Sequence, residues 1–200
     1  ATITVGRDML DIVPHDTSKA GIYTGDRMTM RTVLKAMLIP SGSDAAHIMA
    51  VVAGRLIAGD PGLGAQAAED AFVAEMNRQA QLLGLVNTHF VHADGYHDYY
   101  HYTCMADLTT IAAVCLDTPA IRDTVRQSGT FLEFENRERV WVTTTNLMLR
   151  SNSAYYRSEA RGMKTGTTDE AGYCLAACAT RMWKIVSSPW ALSRNRSMLP

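Results

Sequence analysis

Gly162-Met163-Lys164-Thr165-Gly166-Thr167-Thr168-Asp169-Glu170-Ala171-Gly172-Tyr173-Cys174-Leu175 holds two short β-prone runs on either side of a turn. Gly162 to Gly166 and Tyr173 to Thr180 are expected to be strands, joined at Thr-Asp-Glu-Ala-Gly. Side chains alternate along a strand, so Lys164, Gly166 and Thr168 face opposite to Thr165 and Thr167. That arrangement suits a carboxylate. The Lys164 ammonium supplies positive charge, the threonine hydroxyls can donate hydrogen bonds, and the missing side chain of Gly166 lets a peptide backbone approach. An extended peptide can add along such an edge. Alone, a Lys-Thr-Gly triplet is common and means only a strand leading into a turn.

Upstream lie two more β-prone runs, Phe131 to Phe134 and Val140 to Thr144, and before them the periodicity is helical. Val33, Leu34, Met37 and Leu38 recur at helical spacing until Pro40, which lacks the N–H a continuing helix needs. A second helix starts almost at once. Ser41-x-x-Asp44 reads as a capping box, followed by an apolar face of Ala45, Ile48, Met49, Val52 and Leu56 as far as Gly59-Asp60-Pro61-Gly62. A third helix, about Gly64 to Leu83, repeats Ala68, Phe72, Met76 and Ala80. After a His- and Tyr-rich loop, helices resume at Thr103 to Leu116 and at Pro119 to Gln127, the latter capped by Thr118. Residues 2 to 13 read as short extended pieces.

The expected fold is therefore α+β: a helical lobe from about residue 30 to 128, then antiparallel strands over about 130–180. Trp183-Lys184-Ile185-Val186 could continue a strand, but residues 181–200 are rich in Ser, Arg and Pro and form an atypical tail.

Lys-Thr-Gly gains meaning from its companions. Ser-x-x-Lys, Ser-Asp-Asn and Lys-Thr-Gly are the signature elements of penicillin-binding proteins and class A β-lactamases. Leu38-Ile39-Pro40-Ser41-Gly42-Ser43-Asp44-Ala45-Ala46 and the Gly162 to Leu175 stretch resemble the low-molecular-weight penicillin-binding serine D-Ala-D-Ala carboxypeptidases, peptidase family S11, in the right order. Thr88-His89-Phe90-Val91, Asp94-Gly95-Tyr96-His97-Asp98, His101-Tyr102-Thr103 and Ala106-Asp107-Leu108 resemble that family's middle region, and Thr145-Asn146-Leu147 its stretch before Lys-Thr-Gly. The likeness runs from about residue 2 to 180.

The resemblance implies a DD-peptidase/β-lactamase-like fold, with the helical lobe packed on an antiparallel sheet that is incomplete here. It implies Ser41 as the second-motif serine, relaying protons around an acylated nucleophile and the leaving amine. It implies Lys164, with Thr165, Gly166 and Thr167, as the anchor of the substrate carboxylate. A bland alternative for Ser41 is a helix cap, and both roles can hold together. Asp44 and Asn146 read as structural, holding the turn and the neighbouring strand. The implied partners are peptidoglycan stem peptides ending in D-Ala-D-Ala, with β-lactams as inhibitors of the intact enzyme. No metal or organic cofactor is implied, and the implied location is the cell envelope outside the cytoplasm.

Two departures stand out. Ser43 occupies the position where the family usually has asparagine, and its hydroxyl lacks the amide's paired donor and acceptor, which weakens substrate binding there. More seriously, the residues three before Lys19, Lys35, Lys164 and Lys184 are Asp16, Thr32, Arg161 and Arg181, so no Ser-x-x-Lys exists. Thr32-x-x-Lys35 is a decoy inside the helix preceding Ser41. The expectation is a sequence beginning after the first motif, in a truncated or frame-shifted reading, and a chain inactive by itself. Membrane contact would come only through parts absent here. The alternatives are a non-catalytic penicillin-binding-protein-like envelope module and, less favoured for want of a recognisable deacylating carboxylate, a β-lactamase-related hydrolase.

Composition narrows the field. With 47% hydrophobic and 20% charged residues, 200 residues make one globular unit with a real core. A net charge of -1 with scattered basic residues excludes the basic stripe that nucleic acid requires. The most apolar stretch, Ile48 to Ala58, is interrupted by Gly54 and Arg55 and cannot span a bilayer. Cys104, Cys115, Cys174 and Cys178 form no C-x-x-C pair and read as buried thiols. His89, His92, His97 and His101 beside Asp94 and Asp98 invite a zinc reading. Their spacing fits no helical ligand pattern, and Gly95 breaks any helix across them, so a hydrogen-bonded loop is expected instead.

Overall fold

The computed structural model of the chain describes residues 1–179; the tail over 181–200, including the strand expected at Trp183 to Val186, lies outside them. In chain order the elements are β1 (Thr2–Thr4), α1 (Arg7–Asp11), β2 (Arg27–Thr29), α2 (Met30–Leu38), α3 (Ser43–Ala58), α4 (Ala65–Leu82), α5 (Met105–Asp117), α6 (Pro119–Val125), β3 (Gly129–Leu132), β4 (Val140–Thr143), a 3-10 turn (Leu147–Leu149), β5 (Ala160–Thr168) and β6 (Gly172–Ala179). Among the described residues the strands pair antiparallel in three two-stranded units, β1 with β2, β3 with β4, and β5 with β6. The α+β arrangement of helices followed by antiparallel strands is thus as the sequence pattern implies.

Helix α3 is the core. Ala45, Ile48 and Val51 are fully buried and pack with Val33, Ala36 and Ile39 from α2 and its end, and with Leu132 of β3. Burying a side chain such as Ile48 contributes about 2–3 kcal/mol. Against α3 lies α4, so closely that a Cβ on Gly54 would sit 1.7 Å from the Ala68 carbonyl oxygen. The contact of small residues brings the two backbones together, and with them the side chains one turn away.

Several local expectations failed. The stretch read as extended contains helix α1, capped at Gly6 and tied to α3 by a 2.6 Å pair between Asp8 and Arg55; five residues are too few for a helical period to show. Leu56 is exposed rather than inward, because α3 is enclosed along its first three turns and emerges from the protein at its end. Thr118 stands at the cap position of α6, but its hydroxyl donates back to the Val114 carbonyl at 3.2 Å and caps nothing. The third β-run pairs over Gly129–Leu132 rather than 131–134, in register Gly129 with Thr143 and Leu132 with Val140. Among the described residues, no helix is long and apolar enough to cross a membrane.

Candidate active site

Helix α2 ends at Leu38, and Ile39-Pro40 carry the chain to Ser41 before α3 begins at Ser43. Ser41 has φ 64°, the left-handed region, which costs a non-glycine residue about 1–2 kcal/mol. Its neighbours hold it there. Ser18 donates to the Ser41 carbonyl, the Gly42 N–H to the Ala36 carbonyl at 3.0 Å, and the Ser43 N–H to the Ser18 carbonyl at 2.8 Å. The capping box is not formed. Gly42 is the cap residue and provides no side-chain bond, while the buried Asp44 bonds mainly to the loop before the helix. Its carboxylate accepts from the N–H groups of Ala20, Gly21 and Ile22 at 2.9–3.2 Å, and from that of Ala45 at 2.9 Å. Asp44 thereby fastens the loop carrying Ser18 to the start of α3.

With its backbone fixed this way, Ser41 points at β5. Lys164 Nζ lies 2.6 Å from Ser41 Oγ and also donates to the Thr165 carbonyl at 2.6 Å. Burial pushes the Lys164 pKa down to about 8, since no counter-charge offsets the lost hydration. Thr165 faces the other way, where its hydroxyl meets that of Thr145 at 2.5 Å. The Thr145 N–H in turn reaches the Ile39 carbonyl at 3.2 Å, joining the segment after β4 to the end of α2. Asn146 is buried, and its side-chain oxygen accepts from the Met148 N–H at 3.0 Å to hold the 3-10 turn. Gly166 and Thr167 are exposed along β5, opposite Cys174 and Tyr173 of β6. Thr165 and Thr167 therefore do not act alike here, since one hydroxyl is engaged by Thr145 and the other faces outward.

Ser41, Ser43, Leu38, Ala93, Asp94 and Lys164 line one cavity of about 190 Å³. Ser43, nearly enclosed, directs its hydroxyl to the Asp94 carboxylate. Asp94 also accepts from the Tyr96 N–H at 2.9 Å and faces His47 Nε2 at 3.5 Å. The other ring nitrogen, His47 Nδ1, is 2.8 Å from Glu69 Oε2 of α4. Burial lowers the His47 pKa, but its contacts with Asp94 and Glu69 outweigh that and raise it to about 9. For Asp94, burial raises the pKa while His47, the Tyr96 N–H and the Ser43 hydroxyl bring it down to about 2. His47 and Glu69 were not legible as site residues. They fall within apolar helical stretches, and the available signal was a polar side chain on each of two helix faces that pack together.

Two of the loop histidines, His89 and His101, are taken up by hydrogen bonds. His89 Nδ1 meets the Tyr100 carbonyl at 2.7 Å, and His101 Nδ1 lies 3.2 Å from the Val91 N–H and 3.3 Å from that of His92. Among the described residues, no three His, Cys, Asp or Glu side chains are placed to share a metal ion.

Lys164 of β5 thus touches Ser41 of the α2–α3 junction inside one cleft. The profile of the D-alanyl-D-alanine carboxypeptidase family, peptidase S11, matches residues 1–188. The chain belongs to that family. It is 33% identical over 199 residues to a D-alanyl-D-alanine carboxypeptidase of Streptomyces sp. strain K15, covering 93% of this chain and 62% of the relative. It is 31% identical over 164 residues to the D-alanyl-D-alanine carboxypeptidase DacF of Bacillus subtilis, covering 82% of this chain and 38% of that one. The crystal structure of the Streptomyces K15 DD-transpeptidase superposes with a TM-score of 0.77 at 32% identity, over 90% of this chain and 67% of that one. An evolved penicillin-binding protein homolog from Mycobacterium tuberculosis shares the fold, with a TM-score of 0.74 at 19% identity. The chain thus spans less than two thirds of the length of the curated relatives named.

Proposed function

We propose that this chain forms the substrate-holding side of a serine-type D-Ala-D-Ala carboxypeptidase, acting outside the cytoplasm on peptidoglycan stem peptides, with residues 1–180 belonging to the catalytic domain. The observation that carries the reading is the 2.6 Å contact between Lys164 Nζ and Ser41 Oγ within one cleft. Because Lys164 donates to Ser41, the serine's own hydrogen is left to point elsewhere in the cleft. There it serves a leaving amine. When a serine hydroxyl attacks the carbonyl carbon of the penultimate D-Ala, a C–O bond forms and the C–N bond breaks. The departing nitrogen takes a proton from Ser41 while the proton given up by the attacking hydroxyl is relayed to Ser41, so that Lys164 keeps its charge throughout. The same ammonium, with the Thr167 hydroxyl and the bare edge at Gly166, fits the terminal carboxylate of the peptide. β-Lactams, which carry an equivalent carboxylate beside a reactive carbonyl, would compete for this place.

The attacking serine is not among these 200 residues, which contain no Ser-x-x-Lys. The chain by itself therefore binds without turning over. Titration of the 200-residue protein with N-acetyl-D-Ala-D-Ala, followed by NMR, is expected to shift resonances of Lys164 and Gly166, and Lys164→Met is expected to abolish the shifts. A fluorescent penicillin is expected to leave the protein unlabelled. Shifts that persist in the Lys164→Met protein would sink the assignment of the carboxylate site, and covalent labelling would reveal a nucleophile in this chain.

A further inference from the structure

The ring of contacts under the cleft is not needed for the carboxylate site. Glu69 of α4 accepts from His47 Nδ1 with one oxygen, at 2.8 Å, and from the Ala93 N–H with the other, at 3.4 Å. Asp94, next in the loop, faces His47 Nε2 and accepts from Ser43. The side chains of His47, Glu69 and Asp94 are all at least nine-tenths buried. Ala93 and Asp94 form the cavity wall, and Ser43 is the third residue of the second motif. The His47 imidazole thus ties the loop wall to α3 and α4, beside the direct contact of Asp94 with Ser43.

We propose that His47 is a positioning residue: as an imidazolium spanning Glu69 and Asp94, it holds the Ala93-Asp94 wall and the Ser43 hydroxyl in register with Ser41. The chemistry of the three groups demands the charge. A neutral imidazole has one N–H and one lone pair, whereas a carboxylate has only acceptors to offer. A neutral ring between two carboxylates therefore turns a lone pair toward one of them, and only the protonated ring faces both with donors. Without that proton, the ring has one N–H for two buried carboxylates and turns a lone pair toward the other, a cost that the loop can escape by moving outward into water. Glu69 from α4 and Asp94 from the loop are the charged groups facing the ring; Ser43, on the same helix, is neutral. The raised His47 pKa agrees with this requirement, so the wall is set at neutral pH and released in alkali.

The inference rests on reading the cleft as a peptide site, but its first test needs no peptide. In the 15N-labelled chain, the His47 ring is expected to titrate near pH 9, and the amide resonances of Ser43, Ala93 and Asp94 are expected to shift with the same midpoint. A His47 ring that is neutral at pH 7, or Ser43 and Asp94 amides that ignore its titration, overturns the positioning role whatever the peptide does. The second test is His47→Gln at pH 7, with folding checked by circular dichroism. N-acetyl-D-Ala-D-Ala affinity is expected to fall about tenfold, and adding Asp94→Asn, which removes the uncompensated carboxylate, is expected to restore most of it. Affinity unchanged in His47→Gln, or unrestored in the double variant, also counts against the role. Failure of the unaltered chain to bind the dipeptide at any pH strikes instead at the proposed function and leaves the amide titration to decide the inference.

Discussion

Lys164 Nζ and Ser41 Oγ stand 2.6 Å apart although 123 residues separate them in the chain. The contact is made from two constrained backbones. Ser41 is held left-handed at the α2–α3 junction, and Lys164 follows the irregular start of β5, where Gly162 and Met163 have φ 104° and 94°. Neither side chain has much freedom to move away, so the pair reports on the whole junction.

Ser41→Ala removes an acceptor from a buried ammonium. Hydrogen bonding to the charged form favours it, so the Lys164 pKa, already down at about 8, is expected to fall further in the variant. A 13C-NMR titration of the Lys164 Cε measures it. A value equal to or above that of the unaltered protein would show that Ser41 does nothing for the lysine.

The pH dependence of stability has two opposing parts. His47, with a folded pKa raised to about 9, binds more proton in the folded than in the unfolded protein, so its stabilisation is complete below about pH 6.5 and lost as pH rises through 9. The amount at stake is on the order of 3 kcal/mol. Lys164 acts in the reverse sense. With a folded pKa near 8 it binds less proton when folded, so stability is regained between about pH 8 and 10.5. Thermal unfolding across this range is expected to fall more steeply above pH 8 in Lys164→Met than in the unaltered protein. Parallel curves for the two would contradict the lysine contribution.

Asp44→Ala leaves the N–H groups of Ala20, Gly21 and Ile22 without their carboxylate. Hydrogen bonds to a charged group contribute about 1.5–3 kcal/mol each, and losing a shared anchor is expected to cost at least 3 kcal/mol in urea unfolding. The same variant frees the Ser18 loop from the Ser41 carbonyl, so peptide binding is expected to weaken as well. A loss below about 1 kcal/mol would mean that water replaces the carboxylate freely.

Gly162→Ala meets two obstacles. A Cβ there would lie 2.0 Å from the Val125 carbonyl oxygen at the end of α6, and the φ of 104° is strained for any L side chain. Displacement of the start of β5 is expected, with a loss of about 2–4 kcal/mol in thermal or urea unfolding. Near-neutral stability would show that β5 and α6 can separate without cost.

Much of the fold was readable in order. Helices α2 to α6 follow apolar periods interrupted by Pro40, Gly59 to Gly62 and Gly84, and β5–β6 follows its turn. The helix α1 was not readable, because five residues give no period and its pairing partner, Arg55, lies in another element. Thr118 was misjudged for a similar reason. A residue type suited to capping says nothing of which acceptor its hydroxyl finds once the preceding helix has turned.

The sequence by itself determined the family, the alternation of helices and strands, and the residue types at the cleft: Ser41, Ser43 and Lys164-Thr165-Gly166. These depend on local order and spacing, which survive in a linear reading. The tertiary structure alone decided that Ser41 is no helix cap but a strained hydroxyl aimed at a lysine, and that Asp44 holds a distant loop. It also decided that His47 joins two carboxylates beneath the wall. Those outcomes depend on which groups are left in low dielectric without water. Burial forces each such group to find a partner, and the partner is set by packing between elements rather than by distance along the chain.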